Sequence, residues 1–181
     1  MGMAISIPRY TIDDLDRMPD DGNRYELLDG MLLVTPPASF GHQLVATSLA
    51  ARLIAATGPS IAKVVGPGAV RRGNNTHLEP DVLVLPARFS GEEKWDEIDE
   101  HWLAVEVLSQ SSRIYDREFK RDAYLALGVR EVWLVDTEGR TIEVFRESGR
   151  GELVSDVVRW RVPGLDRIVS VDLAELFGTA S

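Results

Sequence analysis

The chain has 181 residues, is 44% hydrophobic and 27% charged, and carries a formal net charge of −9. A chain of this length can bury a core without disulfides, and the lack of cysteine excludes disulfides, thiolate metal ligands and a cysteine nucleophile. The acidity argues against generic nucleic-acid binding, because phosphate contacts dominate that affinity. No apolar run approaches the ~20 residues that span a bilayer, and no signal-peptide pattern begins the chain, so we expect a cytoplasmic protein.

The charge is distributed unevenly along the chain. Residues 91–101 hold six acidic side chains and a single lysine, a composition typical of a solvated loop or short helix. Any surface that binds a polyanion must therefore be local. The arginines that could form such a surface are Arg71, Arg72, Arg113, Arg117 and Arg121.

The first part of the chain predicts two helices and a hairpin. A helix begins at Thr11, whose hydroxyl can cap it and which is followed by acids in the first turn. Residues 23–28 and 31–35 predict two strands joined by a tight turn at Asp29-Gly30. Apolar residues at helical spacing predict a long helix over residues 39–57, which Gly58-Pro59 ends.

The remaining elements alternate between strands and helices. Strands are predicted at 62–65 and 69–72, around Asp81, around Glu106, at 131–135 and 141–145 as a hairpin, and near 152–157, with helices at 116–127 and 172–177. This order predicts an α/β fold, with an α+β mixed sheet flanked by helices. There is no repeat, low-complexity tract or linker, so we expect one domain over residues 1–181, with its core at about 11–177.

Two acidic residues occur inside short apolar runs of strand character, Asp81 before Val82 and Glu106 after Val105. A buried carboxylate without a partner is costly, so it pairs, becomes neutral or binds a metal. With Lys120 and Glu26, these acids make a plausible site for a divalent cation, which prefers oxygen ligands. The cation would polarise a phosphoryl oxygen and lower the pKa of a water, and Lys120 would position that water.

Structural explanations compete with a metal site. An acid in a strand often faces solvent, and Asp81 could simply begin a strand after Pro80. Glu26 could pair with Arg24 or cap the following turn. Asp116 and Lys120 are spaced as a surface helix pair, which contributes only ~0.2–0.5 kcal/mol.

Several motifs together resemble the Uma family of restriction-endonuclease-like proteins, within the PD-(D/E)XK nuclease superfamily. They are YELLDG at 25–30, His42 at a helix start, PD at 80–81, EVLS at 106–109, YDREFK at 115–120 and YLALGVREVWLVD at 124–136. The resemblance runs from about residue 11 to 177. It implies a restriction-endonuclease-like core and a homodimer that hydrolyses DNA phosphodiester bonds with Mg²⁺, for which Mn²⁺ could substitute.

The resemblance also implies roles for individual residues. Asp81 and Glu106 would bind the metal, and Glu26 and Lys120 would complete the catalytic set. The superfamily pattern expects a lysine two residues after Glu106, where this chain has Leu108. Lys120, on the following helix, takes that place in the Uma-like group.

Three further residues are candidate auxiliaries. Asp116, Lys120 and Tyr124 share one helix face, so Asp116 and Tyr124 could also point towards the site. His42 could contact a phosphate or tune Glu26, although a lone histidine at a helix start is more often structural.

The sequence is also compatible with two other functions. The acidity and the relocated lysine favour a catalytically weak or inactive nuclease fold that binds DNA or another protein. A metal hydrolase for a small phosphate ester would avoid repulsion between an acidic protein and DNA. The scattered tryptophans 95, 102, 133 and 160 favour core packing or a dimer interface, because base stacking needs an exposed basic and aromatic groove.

Overall fold

The computed structural model describes residues 9–109, 119–146 and 150–178. The described helices are α1 (Ile12–Leu15), α2 (Phe40–Thr57), α3 (Arg121–Ala126) and α4 (Leu173–Leu176). The strands are β1 (Arg24–Leu28), β2 (Met31–Thr35), β3 (Ala62–Val65), β4 (Val70–Arg72), β5 (Thr76–Leu78), β6 (Val82–Pro86), β7 (His101–Val107), β8 (Val129–Asp136), β9 (Thr141–Phe145), β10 (Glu152–Val154), β11 (Val157–Arg161) and β12 (Ile168–Asp172). A 3-10 turn covers Trp95–Glu97.

A mixed sheet of six strands forms the centre of the fold, in the order β10-β9-β8-β7-β6-β3. Strands β7 and β8 run parallel, whereas the other neighbouring pairs are antiparallel. All seven residues of β7 are buried, as expected for a strand that is covered on both faces. The predicted fold class, an α+β mixed sheet flanked by helices, is confirmed.

Alternate residues of the central strands point into two hydrophobic cores. On one face, Val105 and Trp133 pack with Leu49 of α2 and with Trp160 of the β11–β12 hairpin. The other face carries a second core built largely from Leu83, Ala104, Leu134, Tyr124 and Leu78. Val105 and Val107 point into the first core, and side chains alternate along a strand. Glu106 therefore points to the opposite face, which is that of the second core and α3.

A smaller antiparallel sheet, in the order β2-β1-β5-β4, adds its Leu33, Val70 and Leu78 to this second core. The predicted turn between β1 and β2 is confirmed, with φ of 50° at Asp29 and 78° at Gly30. Two successive positive φ values are typical of a type I′ turn, which matches the twist of a two-residue hairpin.

The long helix α2 agrees with the helix predicted over residues 39–57. Ser39 caps α2 by accepting a hydrogen bond from the backbone N–H of His42, and Gly58 ends the helix with φ of 76°. The N-terminal part of the helix predicted at 116–127 lies outside the described residues, and its C-terminal part is α3. None of the described helices is long and apolar enough to cross a membrane.

Sequence reasoning was wrong about the strand near 152–157. The strand ends at Val154 and a new strand begins at Val157. The first of these, β10, pairs with β9 in the central sheet, whereas β11 pairs with β12 in a separate hairpin. The strand β12 was not predicted, and neither was β5. Strands as short as β5 and β10 carry little signal of their own and become evident only from the strands that they pair with.

Candidate active site

The two acids singled out from the sequence face each other across neighbouring strands. Val82 of β6 is paired with Val105 of β7 in an antiparallel register, and one further step sets Asp81 opposite Glu106. Directly opposed residues point to the same side of a sheet. Asp81 is 8% exposed and Glu106 is 2% exposed, so both carboxylates are withdrawn from bulk water.

Asp81 is contacted by groups from three parts of the chain. Its Oδ1 lies 2.8 Å from Nη2 of Arg24, and its Oδ2 lies 3.0 Å from Nε2 of His42. The backbone N–H of Val107 also donates to Oδ2, at 2.8 Å. Burial raises the pKa of Asp81, but the His42 contact and the charge of Arg24 outweigh it, so the pKa lies below its ordinary value.

Lys120 lies between two other carboxylates. Its Nζ is 2.6 Å from Oε2 of Glu26 and 3.5 Å from Oε1 of Glu106. Lys120 is 3% exposed and Glu26 is 0% exposed. Both charges are therefore buried, an arrangement that is stable only because they are paired.

The helix α3 carries two of these contacts on one face. The hydroxyl of Tyr124 donates to Oε1 of Glu106 at 2.7 Å, and Lys120 precedes it by four residues. Residues four apart in a helix lie on the same side. This face of α3 therefore fixes Glu106 from the direction of the second core.

Glu26 reaches the site from β1 of the smaller sheet. Its Oε1 accepts a hydrogen bond from the backbone N–H of Glu79 at 2.7 Å. The suggested pairing of Glu26 with Arg24 is not found, because Arg24 binds Asp81 and the carbonyl oxygen of Glu79 instead. Four predicted site residues, Glu26, Asp81, Glu106 and Lys120, thus meet in one cluster formed by both sheets and α3.

An open cleft of about 740 Å³ gives access to this cluster. Asp81, Glu106 and Lys120 line its floor, and residues 36–39 with the start of α2 form part of its wall. Such a volume lies within the ~300–1,000 Å³ range of ligand sites. The cluster is thus a buried ionic network at the base of an accessible cavity.

Comparison with known protein families shows to which family the chain belongs. The chain matches the Uma2 family, described as "Putative restriction endonuclease", over residues 12–175. It belongs to the Uma2 family. Nearly all of the sequence takes part in this match, in agreement with the resemblance read from the motifs.

A solved structure shares the fold. It is the crystal structure of a protein from Anabaena variabilis described as a "putative nuclease belonging to DUF820", with a TM-score of 0.75 and 18% identity. The match covers 92% of this chain and 97% of that one. No match was found among the curated proteins. Family and fold together indicate a restriction-endonuclease-like nuclease.

The three candidate auxiliary residues of this Uma2 protein differ in where they lie relative to the site. His42 contacts Asp81 rather than Glu26 at an ion-pair distance of 3.0 Å, and both of its ring nitrogens are buried without a hydrogen bond among the described residues. Tyr124 lies in the site. Asp116 falls outside the described residues, as do Arg113 and Arg117.

The other three candidate arginines all have structural contacts, and Arg71 donates through Nε to Nδ1 of His77. Arg72 donates to the carbonyl oxygens of Ala126 and Leu127 at the end of α3. Arg121 pairs with Asp122 and stacks over the ring of Phe145.

Sequence reasoning missed the role of Arg24. The available signal was its position two residues before Glu26, since residues i and i+2 of a strand lie on the same face. What the sequence did not reveal is that Arg24 would meet Asp81, 57 positions away. The desolvation of Arg24 lowers its pKa, but Asp81, Glu106 and Glu26 outweigh it and raise the pKa above its ordinary value.

The donor set fits a hydrated divalent cation. Within the described ranges, no group of three or more His, Cys, Asp or Glu side chains is arranged to hold a metal. Magnesium is commonly bound through one or two carboxylates and keeps several waters. The opposed carboxylates of Asp81 and Glu106 meet that requirement, whereas zinc would need about four protein or solvent ligands.

Proposed function

We propose that this Uma2 protein is a magnesium-dependent endonuclease that hydrolyses phosphodiester bonds of DNA. The observation that carries the proposal is the buried Lys120 between Glu26 and Glu106, beside the opposed Asp81, at the floor of an open cleft. Two carboxylates for a cation and a fixed ammonium group for developing negative charge are what phosphodiester hydrolysis needs.

In this proposal Lys120 orients the attacking water and stabilises charge on the phosphate. Its two carboxylate partners restrict the ammonium group to one position, and burial strengthens its field. A fixed charge costs little reorganisation when the transition state forms. Glu26 therefore serves as the positioning residue for Lys120.

Asp81 and Glu106 would hold the cation. When bound, Mg²⁺ supplies the positive charge that polarises the scissile phosphate. Arg24 and His42 keep Asp81 ionised and oriented, as its lowered pKa indicates. Tyr124 fixes one oxygen of Glu106 in the same way.

We also propose a domain organisation, an oligomeric state and a location for the protein. We expect a single restriction-endonuclease-like domain that forms a homodimer, the assembly implied by the resemblance of the motifs. The proposed place of action is the cytoplasm. Sedimentation equilibrium of the purified protein measures the oligomeric state.

Cleavage of plasmid DNA tests the activity. The wild-type protein is expected to nick or linearise the plasmid with Mg²⁺ or Mn²⁺ and to be inactive with EDTA. Asp81→Asn removes a charged ligand and should reduce the rate at least ~100-fold. Lys120→Arg keeps the buried charge but changes its geometry, and it should cause a comparable loss while the protein stays folded by circular dichroism.

Arg159→Gln is the matched control. Arg159 is exposed on β11 and lies outside the cleft, so its loss should leave the cleavage rate within about twofold. Wild-type activity in both purified site variants would refute the assignment.

One observation favours the alternative, a nuclease fold with weak or no catalysis that binds DNA or another protein. Both oxygens of Asp81 already have cationic or N–H partners in the structure, from Arg24, His42 and Val107. Calorimetric titration separates the two functions. Absence of Mg²⁺ and Mn²⁺ binding up to millimolar concentration would support the alternative, whereas binding that Asp81→Asn abolishes supports the endonuclease.

A further inference from the structure

A second groove of about 720 Å³ adjoins the catalytic cleft, and we call it the Trp95 groove. Its lining includes Trp95, Tyr25, Gln43, Arg71 and His77. The two cavities share four wall residues, Arg24, Pro36, Pro37 and Ala38. The Trp95 groove and the catalytic cleft are therefore neighbours on the surface, with Arg24 in the wall of both.

Trp95 differs from the other three tryptophans. Trp102, Trp133 and Trp160 are 8%, 0% and 1% exposed and belong to the first core. Trp95 lies in the 3-10 turn, is only partly buried against the second core, and lines the groove. It is thus anchored by packing while its remaining surface is available to a ligand.

The groove combines aromatic, amide and guanidinium groups. Tyr25 is oriented by a hydrogen bond from its hydroxyl to Asp21 at 2.8 Å. Arg71 donates through Nε to Nδ1 of the buried His77, at 2.6 Å, which fixes the guanidinium plane. Gln43 is an exposed residue of α2 that supplies both a hydrogen-bond donor and an acceptor.

The charges of the groove nearly cancel. Arg24 and Arg71 are balanced by Asp16 and Glu79, and Glu79 is already engaged by Nε2 of His77 at 2.8 Å. A phosphate would gain little net attraction from such a lining. A flat ring with polar edges matches the lining better, because every base has a π-face that stacks on an aromatic side chain, and the neighbouring Arg24 and Arg71 supply the local positive charge.

We propose that the Trp95 groove is a nucleobase subsite, in which a base of the strand being cut stacks on Trp95. This inference deepens the proposed nuclease function. A base can reach Trp95 only after leaving its own stack, so the preferred substrate is single-stranded or locally opened DNA. Arg71 and Gln43 contact the edge of the bound base.

Tryptophan fluorescence in EDTA tests the subsite without any cleavage. A short single-stranded oligonucleotide should quench the emission of the wild-type protein, and a duplex of the same sequence should quench it less. Trp95→Phe keeps the aromatic packing but removes this fluorophore, so the quench should disappear. Quenching that persists in Trp95→Phe, or is absent in the wild type, would overturn the subsite.

Anisotropy of a labelled single strand gives an independent measure. Trp95→Leu should weaken binding about 5- to 100-fold, the range expected for the loss of one base–aromatic stack. Arg71→Gln should also weaken binding, whereas Arg159→Gln, which removes the same charge outside both cavities, should not. Binding by Trp95→Leu within about twofold of wild type contradicts the subsite.

The two proposals fail separately. Metal-dependent cleavage without quenching leaves the endonuclease in place and removes the subsite. Quenching by single strands without any cleavage supports the subsite and removes the catalytic function.

Discussion

At the scale of single residues, the buried Lys120 decides how the site holds together. Taking an ammonium group and two carboxylates out of water costs several kcal/mol per ion, and their mutual attraction must offset that cost. The contacts of 2.6 Å to Glu26 and 3.5 Å to Glu106 provide the attraction. Removing the central cation leaves two negative charges close together in a low-dielectric interior.

Lys120→Met should therefore lower the free energy of unfolding by about 3–5 kcal/mol. Adding Glu26→Gln should restore part of the loss, because it removes one of the two negative charges that the ammonium group had balanced. Urea denaturation of the single and double variants measures both effects. A Lys120→Met protein as stable as wild type would mean that the lysine is not buried between the acids.

At the scale of elements, α3 joins the two sides of the site. Lys120 reaches across to Glu26 on the smaller sheet, while Tyr124 binds Glu106 on the central sheet. The helix therefore couples the geometry of both sheets to one cluster of charges. A lysine that precedes α3 therefore reaches the same cluster of charges as Glu106 on the central sheet.

Tyr124→Phe tests the contribution of this helix. It removes a hydrogen bond to Glu106 and should cost about 1.5–3 kcal/mol, the range for bonds to charged groups. The metal-dependent cleavage rate should also fall, because Glu106 loses a fixed orientation. Denaturant unfolding and plasmid cleavage check the two effects, and a variant unchanged in both would show that this bond is unimportant.

The sequence predicted the elements whose signals are local. The Asp29-Gly30 turn, the apolar spacing of α2 and its end at Gly58 each depend on a few neighbouring residues. The division between β10 and β11 depends instead on the sheet that each one joins, because β10 pairs with β9 in the central sheet and β11 pairs with β12 in a separate hairpin. The same limit applies in the site, where the contact between Arg24 and Asp81 comes from packing of the two sheets.

At the scale of the whole molecule, the burial of ionisable groups sets the dependence of stability on pH. Burial lowers the pKa of His101 to about 4, with Arg72 acting in the same direction and Asp99 and Glu100 opposing it. The folded protein thus binds this proton less readily than the unfolded chain, whose histidine pKa is about 6.5. Stability is fully retained above pH ~6.5 and is lost as the pH falls towards 4.

His101→Phe should remove this part of the pH dependence. The wild-type protein is expected to lose up to about 3 kcal/mol between pH 6.5 and 4 through His101, and the variant should show a correspondingly shallower decline. The pKa of Asp81 is lowered in the folded protein, so the stability that this group contributes is lost only as the pH falls below 3.8, its ordinary value. The effect of Asp81 therefore lies at lower pH than that of His101. Identical pH profiles for the two proteins would contradict the burial of His101 in its neutral form.

Residues distant in sequence are proposed to form one metal centre at the floor of the cleft. Anomalous scattering from a crystal soaked in Mn²⁺ tests it most directly, since it locates the ion without reference to family or activity. The account predicts a strong peak within ligand distance of the carboxylates of Asp81 and Glu106, and no such peak in Asp81→Asn. A manganese peak elsewhere, or none between these two carboxylates, would contradict it.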